Sequence, residues 1–473
     1  MKEKKLRNFI TNTAGNFYGI ALTAAFIFLF MFPSSQQAQQ VTLEYIFQDT
    51  NIVNPRPTLK YINPLSSKIY YYGDDDYDGM LSLFDYNYNT GETFKYSDTG
   101  ETASEFILLP NGDAVTILKG DVYITKNFAA ARQYTRDIRI TETDEYEYSP
   151  LTISNFVIYR RAGNYYLRRY NDSASSSKEL ALISDESDSL SFQIMDMTDK
   201  YKGDPNSLLR LFIVKYDNSP KRELLIPDYT ERFVTAEKIR RGISRVTMYE
   251  YEVRHAGRDS LYTIINEFAY PDSLRYSTSY AEYSPEGTSI ILDAESMDRH
   301  NRKIFKYDIA SRKVTEIYSE SDTAWFEKHS NHTSFISNDE IIFESEISGF
   351  NNLHKLKIDG TGFQQVAGGS FTILESAVDT KNGKVYYSAN AEHPYEYFIY
   401  ETDLSGSPSK QLTTEQGDVS ELKLSPDGSR LFYSQSYFTK PNELHMLDIS
   451  SGVSTQVTNT ISPKFSGMNW NIP

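Results

Sequence analysis

From Thr58 onward the chain alternates apolar and polar residues in short runs rich in Tyr, Ile, Val and Phe, separated by turn-forming groups such as Asn-Gly, Asp-Gly and Pro-Glu-Gly. Alternation of this length marks half-buried strands, and no long amphipathic helical period interrupts it. The clearest unit is LKLSPDGSRLFYSQSYFTKPNELHMLDISSGVSTQVTN, Leu422 to Asn459, which reads strand, Pro-Asp-Gly turn, strand, loop, strand, Ser-Ser-Gly turn, strand. The same order recurs from Ala281, Phe335 and Ala377, more weakly from Tyr61, Phe106 and Ile153, and in a longer form from Leu208 to Phe268. Copies at a period of roughly 40 to 50 residues, each too small to bury both faces alone, stack into a ring. The pattern therefore predicts an all-β fold, an eight-bladed β-propeller of four-stranded antiparallel blades, over residues 39–473. Val41 to Phe47 is placed to add a strand that latches the last blade to the first. The fourth copy carries a charged insertion at about 227–242, PDYTERFVTAEKIRRG, between its second and third strands. Such an insertion projects from one rim, either as a binding element or as plain surface loop.

Composition narrows the class. Of 473 residues 39% are hydrophobic and 14% aromatic, with 37 Tyr against 2 Trp, which suits pleated strands and excludes disorder. Residues 1–38 read as a signal peptide: Lys2, Lys4, Lys5 and Arg7, an apolar core from Ile20 to Phe32, then polar residues, with cleavage expected after Ala38. The competing expectation is a retained membrane anchor, for which the apolar run is short against the roughly 20 residues of a spanning helix. The formal charge is -16, and loss of the leader makes it more negative still, which excludes nucleic acid as a partner. With no cysteine, disulfides, thiolate metal sites and thiol nucleophiles are absent together. Export without cysteine fits a periplasmic or cell-surface protein stabilised by a large core.

The second half resembles the N-terminal β-propeller of the dipeptidyl peptidase IV group, within the prolyl oligopeptidase family of serine peptidases. ESEISGFNNLHKLKIDGTG looks like that family's acidic-Gly-aromatic-Asn-x-Leu blade. SANAEHPYEYFIYETDLSGSPSKQLTTEQGDVSELKLSPDGSRLFYS brings a Pro-Tyr-Glu step, a Tyr-x-x-Asp-Leu-x-Gly strand and a Ser-Pro-Asp-Gly turn in the family's order. The likeness runs from about Tyr280 to Trp470 and is thin before that, where LFIVKYDNSPKRELLIPDY resembles the strand leading into a charged insertion. The resemblance implies a propeller that gates access to an α/β-hydrolase domain holding a Ser-Asp-His triad. FSGMNWNIP at 465–473 falls about where the family passes into that domain.

Here no Gly-x-Ser-x-Gly elbow occurs; GGSFT (Gly368 to Thr372) and DGSRL are near misses in turns. The family's acidic pair for a substrate amino terminus has no aromatic-Glu-Glu counterpart, only scattered Asp185, Glu186 and Asp188. Its carbonyl-holding arginine has only Lys95 in the corresponding stretch. The expectation is a chain with no catalytic, cofactor-binding or metal residue of its own, which binds a peptide or protein ligand and does not cleave dipeptides unaided. An alternative is the propeller portion of a split or truncated dipeptidyl peptidase working with a separate α/β-hydrolase chain, and the membrane is a partner only if the leader is retained.

Four further patterns carry candidate chemistry. DDDYDGMLSLFD, Asp74 to Asp85, has the calcium-loop spacing Asp-x-Asp-x-Asp-Gly with an acid at the twelfth position, so the choice lies between a calcium-stiffened envelope scaffold and a solvated hairpin tip. Ser82 at the ninth position, the flanking strands and the short twelfth side chain favour the hairpin. His329 and His332, near Glu327, have metal-ligand spacing but no third ligand fixed by sequence, and His255, His300, His354, His393 and His445 are isolated. Trp325, Phe326 and Trp470 are expected to pack between blades, with peptide stacking as the alternative. RRAGNYYLRRY, Arg160 to Tyr170, interleaves basic and aromatic residues, which alternation on a blade strand explains without nucleic acid.

Overall fold

A computed structural model describes residues 39–40, 55–96, 105–131, 136–170, 178–183, 190–200, 206–217, 221–228, 235–242, 245–256, 261–270, 276–296, 298–326 and 333–470. Eight four-stranded antiparallel sheets follow one another along the chain, at 58–95, 105–139, 147–183, 190–268, 276–321, 334–367, 373–411 and 418–456. In each sheet the strands pair in sequence order, with the second and third strands of blade four separated by a two-stranded insertion. The protein is an eight-bladed β-propeller.

The turns fold for local reasons. In blade eight the Ser425 hydroxyl accepts the N–H groups of Ser429 (3.2 Å) and Arg430 (2.9 Å), and Asp427 accepts Ser429 N–H at 3.1 Å. Gly428 closes the turn at φ +72°, and a Cβ there would lie 2.6 Å from Asp379 Oδ2 of the preceding blade, so both conformation and space require glycine. Burial grades across each sheet. The second strand is nearly all buried, as in Ser289–Ser296, whereas the fourth is an outer edge, as in Val453–Gln456, all four of whose residues are exposed.

The core lies between the blades. Each blade packs an apolar face on the next, and eight such layers complete the circuit. The closing layer joins Leu59, Ile69, Tyr71, Phe84, Tyr86 and Tyr88 of blade one to Phe432, Leu444 and Met446 of blade eight, with the Tyr88 and Phe432 rings edge to face at 5.6 Å. Both blades take all four strands from contiguous sequence, so side-chain packing and the Arg56–Glu421 ion pair (3.2 Å) link them. The expected latch, Val41 to Phe47, lies outside the described residues, as does the leader. Gln39–Gln40 pairs in parallel with Met468–Asn469. These strands belong to a second compact unit, 1–54 with 461–473. There the short helix Pro463–Ser466 is capped by Ser462, whose hydroxyl accepts Phe465 N–H at 3.1 Å.

Two blade boundaries differ most from the sequence reading, and the first strands of blades five, seven and eight also begin four or five residues early, at Tyr276, Ile373 and Asp418. Blade three opens with Glu147–Ile153, where its first strand was expected to start at Ile153, and blade four with Leu190–Thr198, where the copy was expected to start at Leu208. Both strands carry bulges, between Tyr148 and Leu151 and between Ile194 and Asp196, as do the first strands of blades five, seven and eight. A bulge breaks the period of two and so hides the strand from a pattern search. The insertion in blade four is a two-stranded ribbon, Lys221–Asp228 paired with Thr235–Gly242. It starts six residues before the expected bound and lies between strands Ser207–Asp217 and Arg245–His255.

Candidate functional site

Antiparallel order fixes two ends for every blade. Turns between first and second and between third and fourth strands lie at one end, while second-to-third-strand hairpins and blade-to-blade connections share the other. Exposed apolar side chains concentrate at the second end. Met80 and Leu81 sit on the hairpin of blade one, Ile347 and Phe350 on that of blade six, Tyr395 on blade seven and Phe438 on blade eight. Tyr146 and Trp325 lie on blade-to-blade connections at the same end. At the opposite end the exposed large apolar residues among those described are Leu65 and Phe363; Tyr262, Ile265 and Val453 lie on outer strands. The ribbon of blade four leaves from the apolar end, since it too joins a second strand to a third.

The hairpin of blade six shows how these tips are held. Asn351 and Asn352 are buried; Asn351 Nδ2 donates to the carbonyl of Ile373 (2.8 Å) and to Glu344 Oε2 (3.1 Å), and Asn352 Nδ2 donates to the carbonyl of Phe371 (3.0 Å). Ser348 Oγ bonds Asn352 Oδ1 at 2.9 Å, and Gly349 turns the chain at φ +88°. The two asparagines of the Gly-Phe-Asn-Asn-Leu motif thus tie the hairpin to blade seven and leave Phe350 outward. On blade seven Asn390 Nδ2 donates to the carbonyl of Pro394 (3.3 Å), beside Tyr395. On blade eight the Tyr437 and Phe438 rings meet edge to face at 5.0 Å.

The acidic loop of blade one sits at this end. Carboxylate oxygens of Asp74, Asp76 and Asp78 lie within 4.8 Å of one another. Asp74 accepts the N–H groups of Tyr77 (2.7 Å) and Gly79 (2.9 Å), and Asp78 accepts that of Met80 (2.7 Å). Lys95 Nζ lies 2.5 Å from Asp75 and 2.9 Å from Asp76, and its hydrogen bond holds the Asp76 carboxyl below the usual range. Asp85 does not join them. It is buried in its strand, where Lys68 Nζ (3.2 Å) and the Tyr96 hydroxyl (3.2 Å) bond its carboxylate. Ser82 is likewise buried in that strand. The loop therefore offers three of the expected side-chain ligands, and the twelfth position serves the core.

The remaining candidates separate by position. His329, His332, Glu327, Asp185, Glu186 and Asp188 lie outside the described residues. Phe326 is buried as expected, but Trp325 is 67% exposed and does not pack between blades. Trp470 packs on Phe465 at 4.4 Å and donates Nε1–H to its carbonyl at 3.0 Å, within the second unit. In the hairpin Phe156–Arg161 and Asn164–Arg169, Arg161 lies 4.1 Å over the ring of Tyr166 and Arg160 lies 5.0 Å over that of Tyr165. Arg161 also pairs with Glu179 at 2.6 Å, so its charge is answered within the blade. Gly368 to Thr372 connects blades six and seven and Gly428 sits in a hairpin turn; neither is a strand-to-helix corner.

Carboxylates on the first strands form a feature that the sequence reading missed. Asp196 of blade four accepts Tyr283 N–H of blade five at 2.7 Å, Glu282 of blade five accepts Phe335 N–H of blade six at 2.9 Å, and Glu375 of blade seven accepts Leu422 N–H of blade eight at 2.7 Å. First strands of adjacent blades approach one another at the centre of the ring, and these bonds tie them. Burial, with a smaller contribution from Asp196, pushes the Glu282 carboxyl up to about 7, and burial raises that of Asp196. A charged residue inside an apolar alternation was the available signal. For the outward apolar tips it was an apolar residue inside turn chemistry, as in Ser-Gly-Phe-Asn-Asn and His-Pro-Tyr-Glu.

Comparison with known proteins agrees with this architecture. Residues 276–442, from the start of blade five into the third strand of blade eight, match the family model of the dipeptidyl peptidase IV N-terminal region. Among solved structures the chain is similar to dipeptidyl peptidase 4 of Porphyromonas gingivalis, with 13% identity and a TM-score of 0.63 over 90% of this chain and 63% of that one. It is also similar to a putative dipeptidyl aminopeptidase IV of Bacteroides ovatus, with 14% identity and a TM-score of 0.60 over 87% of this chain and 61% of that one. At such identity the likeness is one of fold. The chain spans about three-fifths of the length of each.

Proposed function

We propose, from the premise that this chain carries a β-propeller of the dipeptidyl peptidase IV N-terminal type, that it acts by binding: its apolar end receives a peptide or protein segment and presents it, without cleaving it. The observation that carries this reading is the one-sided placement of outward apolar side chains on the hairpins and connections of one end. A monomer that exposes such side chains on one face leaves them for a partner. Peptide hydrolysis requires a nucleophile with an adjacent base, and we assign that chemistry to an α/β-hydrolase domain outside the propeller. The leader and the absence of cysteine support an exported, periplasmic or cell-surface setting.

The test uses the purified chain. Native mass spectrometry with a mixed peptide digest should show bound peptides, and the variant F350S/Y395S/F438S should lose them while keeping the wild-type melting temperature. A chromogenic X-Pro dipeptide substrate should remain intact. No adducts, full binding by the variant, or turnover of the substrate overturns the proposal.

A second reading has its own support. Because about two-fifths of each matched structure lies outside the region it shares with this chain, the propeller can be one portion of a larger peptidase that also needs a hydrolase. Addition of such a hydrolase should then yield dipeptidase activity that neither component has alone.

A further inference from the structure

We infer that the partner of the apolar end is cationic as well as apolar: a peptide or protein segment in which lysine or arginine side chains flank aromatic or aliphatic ones. The inference rests on the binding face proposed above and specifies what that face selects.

Blades six, seven, eight and one are consecutive around the closed ring, and each places an apolar tip at this end. Ile347 is 58% exposed, Tyr395 80%, Phe438 68% and Met80 64%. The tip of blade six is held by Asn351 and Asn352, so little conformational entropy is lost when it is covered. Around them the same segments carry carboxylates. Asp75 and Asp78 flank Met80 on blade one, Glu346 precedes Ile347 on blade six, Glu392 and Glu396 bracket Tyr395 on blade seven, and Asp418 opens blade eight. On these four blades the lysines and arginines described at this end are Arg56, Lys95 and Lys440, all already paired, Arg56 with Glu421 at 3.2 Å, Lys95 with Asp75 and Asp76 and Lys440 with Glu415 at 3.0 Å. Acid thus outnumbers base around the tips of blades six, seven and one. The chain as a whole carries -16.

An apolar patch ringed by one sign of charge discriminates between partners of similar hydrophobicity. Like charges are repelled at the rim before the apolar contact forms, and opposite charges are drawn in, with a dependence on ionic strength. An acidic segment would have to bring its carboxylates against Glu392 and Glu396 to reach Tyr395. A basic one meets them as counter-ions.

The experiment uses the full chain and two short fluorescent peptides identical in aromatic residues, one lysine-rich and one glutamate-rich, followed by anisotropy. The lysine-rich peptide should bind roughly tenfold more tightly at about 50 mM salt, and the difference should shrink at about 300 mM. The variant E392Q/E396Q/D418N, altered only at surface carboxylates, should weaken the lysine-rich peptide and leave or improve the other. Equal binding of the two peptides, both abolished by F350S/Y395S/F438S, overturns the charge preference and leaves the binding face standing. Binding of neither peptide overturns both.

Discussion

Replacing Glu282 with glutamine tests the inner ties of the ring in a way that yields a sign as well as a size. Glu282 accepts Phe335 N–H across the junction of blades five and six, its carboxyl is pushed up to about 7 by burial, and Asp196 adds negative potential. The folded protein therefore holds this proton more tightly than the unfolded chain, whose glutamates titrate near the ordinary value of 4.5. Stability from the protonated group is complete below that value and is lost as pH rises through about 7. At ~1.36 kcal/mol per pH unit, the interval amounts to about 3 kcal/mol by pH 9. Glutamine keeps a carbonyl oxygen for Phe335 N–H and never ionises. Calorimetry should find E282Q close to the wild type at pH 5 and more stable at pH 9, with a melting temperature higher by about 3 °C for a unit of this size. If E282Q is less stable than the wild type at pH 9 and the two have parallel pH profiles, burial does not raise this carboxyl in the folded protein and the account of this junction is wrong.

Other perturbations address the core and the acidic loop. Phe432→Ala opens a cavity in the closing layer between blades eight and one and should cost about 3–5 kcal/mol in denaturant titration; a loss below ~1 kcal/mol would mean that packing at this seam does not hold the ring. Arg302, buried between Asp293 (2.6 Å) and Glu320 (3.1 Å) in blade five, leaves two buried carboxylates when changed to Met. R302M should destabilise by about 3–5 kcal/mol, and R302M/D293N/E320Q should recover part of the loss. Millimolar calcium should move the melting temperature by less than about 1 °C, because Asp85 is committed to Lys68 and Tyr96 and Lys95 engages Asp75 and Asp76. A larger rise that Asp76→Asn abolishes would restore the calcium loop.

The blades were legible because their turns and second strands speak locally: Ser425-Pro426-Asp427-Gly428 reads as a turn, and the strand after it is apolar enough to be core. Glu147–Ile153 and Leu190–Thr198 were not: a bulge shifts the alternation in them as in other first strands, and here the partly buried residues on either side leave no clear apolar run. Trp325 misled for a different reason. Its chemistry fits a core, but its place on a connection between blades decides its exposure, and that depends on the whole ring. A charge inside an apolar alternation marks Glu282 and Glu375, but they bond to backbone 53 and 47 residues away, so no local pattern reveals their partners. The apolar end emerges only after the blades are aligned, when turns scattered through the sequence fall on one side.

Hydrogen–deuterium exchange with and without bound peptide tests that end most directly. The account predicts slowed exchange in the hairpins near Phe350, Tyr395 and Phe438, and unchanged exchange in the turns at Gly383 and Gly428 at the opposite end. Protection confined to those opposite turns, or spread evenly over both, would contradict it.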